Sequence, residues 1–122
     1  MEIILSGNPL STQSIYQYTC IGRFARMYMT KRGKKLKESY QDQAKDQYKD
    51  GIILGDCEME IGLFFKDKRR RDVDNYNKLV LDSLQGVVFK DDVQIQSLTI
   101  RKGYSPENPR IEVKVVLQTN DK

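Results

Sequence analysis

The feature that most constrains the fold is a strict alternation of side chains between residues 57 and 65. Cys, Met, Ile, Leu and Phe occupy every second position, and two glutamates, a glycine and a phenylalanine fill the positions between them. A period of two is typical of a half-buried β-strand. We therefore predict a strand over Cys57–Phe65 with one face turned to a core.

Two other stretches repeat with the period of an α-helix. Thr30 is placed to cap the first helix, and Asp74 is placed to cap the second. The apolar positions of the first, up to Gly51, are Leu36, Tyr40, Ala44 and Tyr48. Those of the second, up to Gly86, are Tyr76, Leu79, Val80, Leu81 and Leu84. We predict two amphipathic helices.

Further strands are predicted at both ends of the chain. They cover Met1–Leu5, Arg23–Met29, Val93–Ile100 and Ile111–Leu117. A loop rich in Ser, Thr and Gln separates the first two. The apolar phase slips within Val93–Ile100, which indicates a β-bulge. A turn at Gly103–Pro109 is expected to join the last two strands as a hairpin.

This order of elements predicts an α/β (α+β) fold. A length of 122 residues fits a single domain over residues 1–122 with one core. We expect a mixed β-sheet of four to five strands with two main helices. Two helices on one side would leave the other sheet face uncovered. We expect that face to be apolar and the fold to be dimer-forming.

The absence of histidine excludes several classes of enzyme. Nucleophile–histidine pairs, His-ligated zinc and imidazole bases are all ruled out, so catalysis must rely on carboxylates, lysine or a hard metal ion. Cys20 and Cys57 are too few for a zinc site or a disulfide scaffold. The apolar run Ile3–Leu5 is too short for a signal peptide or a membrane span. We expect a cytoplasmic protein without membrane association.

Carboxylates cluster on both sides of the second predicted helix. Asp72 and Asp74 lie two residues apart, which puts both on one side of an extended chain, and such hard oxygen ligands suit Mg²⁺ or Mn²⁺. The pair Asp91–Asp92 precedes a strand and can complete a cluster of three carboxylates. The alternative is a solvated charged loop in which Asp74 only caps the helix and Asp91–Asp92 only form a turn.

Cations accompany these carboxylates. Lys78 and Asp82 continue the helix face of Asp74, where the lysine can meet a carboxylate or phosphate, or can form only an i,i+4 salt bridge. Five cations immediately precede Asp72, and five more lie at the start of the first helix, at Lys31, Arg32, Lys34, Lys35 and Lys37. Such runs suit phosphate binding, although most charge runs are solvated surface.

One string carries most of these residues. It runs Arg69-Arg70-Arg71-Asp72-Val73-Asp74-Asn75, then Lys78, Asp82 and Leu84, then Phe89-Lys90-Asp91-Asp92-Val93. The string resembles the RusA-type Holliday junction resolvase (crossover junction endodeoxyribonuclease) family, whose pattern is R-D-x-D-N-x-x-K, D-x-L and then D-D. Gly7–Ser11 also fits the first loop of the family, but Thr12–Ser14 replaces the Asn or Arg that often follows.

The resemblance implies a Mg²⁺-dependent, structure-specific DNA endonuclease, with Mn²⁺ able to substitute and no small-molecule cofactor. Such an enzyme acts as a homodimer and resolves a four-way junction, a branched DNA, by paired symmetric nicks. The implied metal ligands are Asp72, Asp74 and Asp92, and the implied catalytic lysine is Lys78. The implied DNA-binding residues are Lys68, Arg69, Arg70, Arg71 and Asn75. Asp82 and Asp91 are expected to contact the metal ligands rather than the metal.

Other functions compete with this interpretation. An aspartyl phosphatase is disfavoured because three arginines, rather than a hydrophobic strand, precede Asp72. A sugar-nucleotide transferase needs a nucleotide-binding domain that 122 residues barely permit. The remaining alternative is a non-catalytic basic DNA-binding module of recombination or repair. Three carboxylates beside a lysine argue against it, because binding alone gains nothing from carboxylates near phosphates.

Overall fold

The computed structural model describes residues 2–21 and 24–118, which form a four-stranded mixed sheet, a separate two-stranded sheet and two main helices. The predicted fold class is confirmed. Met1 and Arg23, where two predicted strands began, lie outside the described residues. In chain order the elements are β1 (Glu2–Ser6), α1 (Thr12–Ile15), β2 (Tyr16–Ile21), β3 (Phe24–Met29), α2 (Lys31–Gln47), β4 (Cys57–Phe65), α3 (Asn77–Leu84), β5 (Ile95–Tyr104) and β6 (Arg110–Leu117).

The main sheet has the strand order β1-β6-β4-β5. β4 pairs in parallel with β5 and antiparallel with β6, so the predicted hairpin of the last two strands is wrong. β4 lies centrally because all five of its inward side chains are buried, whereas only two β5 side chains, Ile95 and Ile100, pack against the core. The Ser105 amide donates to the Phe65 carbonyl at 2.8 Å, where the chain passes over the end of β4.

The predicted bulge near the start of β5 is confirmed. Cys57 pairs with Ile95, but Glu58 pairs with Ser97, so Gln96 is an extra residue in the ladder. The strand begins at Ile95 rather than Val93, because Asp92–Gln94 form a single 3₁₀ turn. It continues to Tyr104, past the start of the turn predicted at Gly103.

The predicted loop after β1 is wrong. Residues 12–15 form α1, and Tyr16–Ile21 form β2, which pairs antiparallel with β3 from Tyr16–Met29 to Ile21–Phe24. The predicted strand ending at Met29 is therefore present, but it belongs to this separate sheet. Tyr16, Tyr18 and Cys20 alternate with Gln17 and Thr19, so the strand had a period-two signal that the prediction of a loop overlooked.

α2 begins where the sequence predicts. The Gly33 amide donates to the Thr30 hydroxyl at 3.1 Å, which confirms Thr30 as the cap. The helix buries Gly33, Tyr40 and Ala44, and it ends at Gln47. Among the described residues, no helix combines the length and the apolar character that a membrane crossing requires.

α3 begins later than predicted, and Asp74 does not cap it. Val73–Asn75 form a 3₁₀ turn, closed by the Asn75 amide on the Asp72 carbonyl at 3.2 Å, so the helix proper starts at Asn77. Tyr76 is buried edge-on against Phe65, with 5.1 Å between the ring centroids. This contact holds the chain in place where it enters α3. The apolar stripe is otherwise as predicted, since Leu79, Val80 and Leu84 are buried.

The uncovered face of the sheet is charged, so the expectation of an apolar face is wrong. Its charged side chains come from all four strands, namely Glu2, Glu58, Glu60, Arg101, Arg110, Glu112 and Lys114. Phe64 lies flat across this face, since a Cβ on Gly103 would come within 2.8 Å of its ring. The Arg110 guanidinium covers the same ring at 4.2 Å. Solvent is a suitable neighbour for such a surface.

The outer edge of β1 contacts α2. The Gln47 side-chain amide accepts a hydrogen bond from the Ile4 amide and donates one to the Ile4 carbonyl, both at 2.7 Å. The side-chain Oε1 of Gln43 accepts a hydrogen bond from the Ser6 amide at 2.8 Å. These two glutamines hold β1 and α2 together.

Candidate functional site

A solvent-open depression of about 390 Å³ brings together five of the predicted site residues, namely the implied DNA-binding Asn75 and four charged residues. Asp74 comes from the 3₁₀ turn before α3, Lys78 and Asp82 come from α3, and Asp92 comes from the 3₁₀ turn before β5. Its other lining residues are Thr12, Asn77 and Leu81. The chain between β4 and β5 therefore supplies most of this site.

Lys78 and Asp82 project from the open side of α3. Leu79, Val80 and Leu84 face the core, so residues 78 and 82 lie one turn apart on the opposite side. Lys78 Nζ lies 3.4 Å from Asp82 Oδ2. The i,i+4 salt bridge considered as an alternative thus exists, and it stands inside the depression.

Tyr16 contacts both members of this ion pair. Its hydroxyl donates to Asp82 Oδ2 at 2.5 Å, and Lys78 Nζ lies 5.2 Å from the centre of its ring. Burial, followed by the hydrogen bond and the negative charge of Asp82, raises the pKa of Tyr16. The hydroxyl therefore stays protonated and keeps donating, which orients Asp82 and through it Lys78.

Sequence reasoning missed both Tyr16 and Thr12, because it placed them in a featureless loop. The Thr12 hydroxyl donates to the Asn75 carbonyl at 2.8 Å, which ties α1 to the turn that carries Asp74. Thr12 stands where the chain departs from the family pattern, and that departure was the available signal.

Asp91 and Asp92 are adjacent but differ in structure. The Asp91 side chain accepts from the Val93 amide at 3.2 Å, and Gln94 Oε1 accepts from the Asp91 amide at 2.8 Å, so the two form a capping box. Asp92 is exposed and lines the depression. Asp91 thus caps the turn that carries Asp92.

The pKa of Asp92 is affected by two other carboxylates. A side-chain hydrogen bond with Asp91, partial desolvation and the charges of Asp91 and Asp82 raise the pKa of Asp92 above its ordinary 3.8, against an opposing effect of Lys78. A carboxylate in such a field is stabilised by any added cation.

Asp72 lies apart from the other predicted ligands. It lines a neighbouring depression of about 310 Å³ with Ser11, Arg70, Arg71, Asn75 and Tyr76. Within residues 2–21 and 24–118, no three Asp, Glu or Cys side chains come close enough to hold one metal ion. The predicted trio of Asp72, Asp74 and Asp92 is therefore not assembled in this arrangement of side chains.

The donor chemistry nevertheless fits a hard divalent cation. Asp74, Asp82 and Asp92 offer carboxylate oxygens to one depression, and Asn75 adds an amide. Oxygen donors of this kind suit Mg²⁺ and Mn²⁺. Asp72, Asp74 and Asp92 are exposed, so their side chains have room to turn toward a shared ion.

The basic stretch before Asp72 divides into surface and structural residues. Lys68, Arg69 and Arg70 are exposed. The Arg71 guanidinium is only 12% exposed, lies 4.2 Å from the Phe65 ring centre and pairs with Asp67 at 2.7 Å. These contacts distinguish Arg71 from the three exposed cations that precede it.

Most of the chain is similar to a known protein family. The family model described as Endodeoxyribonuclease RusA matches residues 7–116. The uncharacterized protein YqaN of Bacillus subtilis (strain 168) is 50% identical to this chain over 44 residues, which are 36% of this chain and 30% of that protein. The matched stretch thus spans less than a third of that relative. Because the family model covers most of the chain, the chain belongs to the RusA endodeoxyribonuclease family.

Proposed function

We propose that this protein is a divalent-metal-dependent endonuclease that resolves four-way DNA junctions in the cytoplasm by paired symmetric nicks, without a small-molecule cofactor. The observation that carries the proposal is the shared depression of Asp74, Lys78, Asp82 and Asp92, in a chain that matches the RusA family. Asp72, Asp74 and Asp92 would hold Mg²⁺, or Mn²⁺ in its place. When bound, such an ion polarises a phosphate ester and neutralises charge that develops on it.

The protein's own residues would prepare the phosphodiester for attack. Lys78 carries a positive charge at the depression, and Asp82 and Tyr16 hold it in position. The positive charge of Lys78 would stabilise the negative charge that develops on the phosphate during the reaction. Arg70, which lines the neighbouring depression, and the exposed Arg69 would bind flanking phosphates. Lys68 would act likewise, and Asn75 would contact DNA between the two depressions.

Cleavage assays test this function directly. The protein is incubated with a labelled four-way junction, a matching duplex and a flap, each with Mg²⁺ and with EDTA. We expect nicks in the junction with Mg²⁺ and none with EDTA. A protein that binds the junction tightly but never nicks it with Mg²⁺ or Mn²⁺ is instead a non-catalytic DNA-binding module, which is the alternative function.

We also propose that the protein acts as a homodimer. A four-way junction has two-fold symmetry, and two equivalent nicks require two sites related by that symmetry. Because the open face of the sheet is charged, it gives no hydrophobic reason for self-association. The proposal of a homodimer therefore depends on the symmetry of the junction alone. Sedimentation at micromolar concentration checks it. A 14.2 kDa monomer, both free and bound to a junction that it cleaves, would contradict the dimer.

A further inference from the structure

The start of α2 carries an unusual concentration of positive charge. Five of the seven residues from 31 to 37 are cations, and the first turn has no acidic residue. Lys31, Arg32, Lys34 and Lys35 are exposed, and Lys37 is half-buried. Within the part of the chain that the structure describes, none of the five forms an ion pair.

This placement opposes the electrostatics of the helix itself. The amino end of a helix has a partial positive charge, so each cation there costs roughly 0.3–1 kcal/mol instead of stabilising the helix. The acids of α2 lie further along, at Glu38, Asp42 and Asp46, and only Asp46 lies in the last turn, where a negative charge is also unfavourable. A polyanion bound at the start of the helix would relieve both the repulsion and the unfavourable dipole interaction.

The basic turn is attached to the nuclease site through α1. The Thr30 amide donates to the Ile15 carbonyl at 2.9 Å, and Gly33 packs so closely that a Cβ on it would lie 2.7 Å from the same oxygen. At the other end of α1, Thr12 lines the depression beside Asp74. Four helical residues span only about 6 Å, so the basic turn begins about two base-pair steps from the depression.

Three of the lysines share the solvent side. Gly33, Tyr40 and Ala44 face the core, and at about 100° per residue Lys31 and Lys35 project in the opposite direction, with the exposed Lys34 about 60° to the side of Lys31. They therefore form a cluster that a DNA backbone can reach without displacing any packed side chain.

We propose that Lys31, Lys34 and Lys35 bind the phosphates of the duplex arm that extends from the cleaved junction strand. The proposal rests on the proposed function for the position of the cleaved phosphodiester. Flexible lysines act as point charges on phosphates, so this contact adds affinity without sequence preference. It adds a second DNA contact beside Arg69 and Arg70, on a different segment of the chain.

The test compares two double variants with the same change in net charge. Lys34→Gln with Lys35→Gln removes two cations at the start of α2, and Lys45→Gln with Lys49→Gln removes two exposed cations near its end. Binding to a labelled junction and to a matching linear duplex is measured by fluorescence anisotropy in EDTA over a series of salt concentrations. Circular dichroism confirms that both variants fold.

We expect the first variant to bind both DNAs more weakly and to lower the slope of log K against log[salt] by about 1.8, or 0.9 for each lost phosphate contact. The second variant should keep the wild-type slope. Equal slopes for the two variants would overturn the proposal. If the wild-type protein binds duplex but cleaves no branched DNA, the proposed function fails. The salt slopes of the two variants on duplex DNA then still show whether the lysines at the start of α2 bind phosphates. Absence of any DNA binding by the wild type would overturn both.

Discussion

Arg71 places its guanidinium over the ring of Phe65, 4.2 Å from the ring centre, and is therefore packed into the fold. Its Nη1 also donates to the Asp67 carbonyl at 3.0 Å. The neighbouring Arg70 is exposed. We therefore expect these two adjacent residues of one basic run to have separate roles, Arg71 in stability and Arg70 in DNA binding.

Alanine substitutions should separate these roles. Arg71→Ala removes the contact with Phe65 and the hydrogen bond to the Asp67 carbonyl, so we expect the free energy of unfolding to fall by about 1–2 kcal/mol. Arg70→Ala should leave urea unfolding unchanged, weaken binding to every DNA sequence and lower the salt slope by about one. Destabilisation by Arg70→Ala with unchanged DNA binding would reverse the assignment.

The ion pair of Arg71 with Asp67 predicts a dependence of stability on pH. The hydrogen bond from Arg71 holds the pKa of the Asp67 carboxyl below its ordinary 3.8. A folded-state pKa below the unfolded one means that the pair stabilises the fold above the unfolded value and loses this effect as the pH falls through the folded value. Asp67→Asn should thus be less stable than wild type from about pH 5 to 7, and the deficit should shrink as the pH falls below 3.8 and through the lower folded-state pKa.

Urea unfolding at a series of pH values measures this deficit. Asp42→Asn, on the exposed side of α2, is the matched control, because its carboxylate has no ion pair among the described residues. A deficit for Asp67→Asn that grows toward acid would show that the pair does not act in this way.

Neutralising each proposed metal ligand should stop cleavage but spare binding. Asp72→Asn, Asp74→Asn and Asp92→Asn each remove a carboxylate, and we expect junction cleavage with Mg²⁺ to fall at least about a hundredfold. Binding should stay equal or tighten, because the loss of a negative charge relieves repulsion with phosphates. Gel-based nicking and anisotropy measure the two effects, with Asp42→Asn as the control. Cleavage at the wild-type rate would remove that residue from the metal site.

A variant of Tyr16 tests whether its hydrogen bond to Asp82 stabilises the site. Tyr16→Phe deletes the hydrogen bond to Asp82, so we expect the free energy of unfolding to fall by about 1.5–3 kcal/mol, the range for a bond to a charged group. Tyr28→Phe deletes a bond of 2.8 Å to the exposed Gln17 and should change stability by less than about 0.5 kcal/mol. Chemical denaturation of both variants makes the comparison, and equal effects would contradict the role given to Tyr16.

The sequence predicts most where local signals agree with the final packing. The alternation at Cys57–Phe65 and the cap at Thr30 are confirmed because burial and hydrogen bonding act on neighbouring residues. The pairing of β5 with β4 was not predictable in this way, since a strand chooses its partner through contacts distant in the chain. The same reason explains why Tyr16 was missed, as its partner Asp82 lies 66 residues away.

The site itself is predicted in part. Asp74, Lys78, Asp82 and Asp92 meet at one depression, because the short helix α3 and its flanking turns bring them together. Asp72 was expected beside Asp74, on the assumption of an extended chain that runs on past both. The 3₁₀ turn begins directly after Asp72 and points the two carboxylates into different depressions.

The contacts of Gln47 and Gln43 with β1 have a consequence for how the molecule avoids aggregation. A free edge strand exposes unpaired amides and carbonyls that can template an intermolecular sheet. Here two side-chain amides occupy those groups at Ile4 and Ser6. Strand addition at β1 is therefore blocked by the protein's own helix, and the main sheet can grow only at β5.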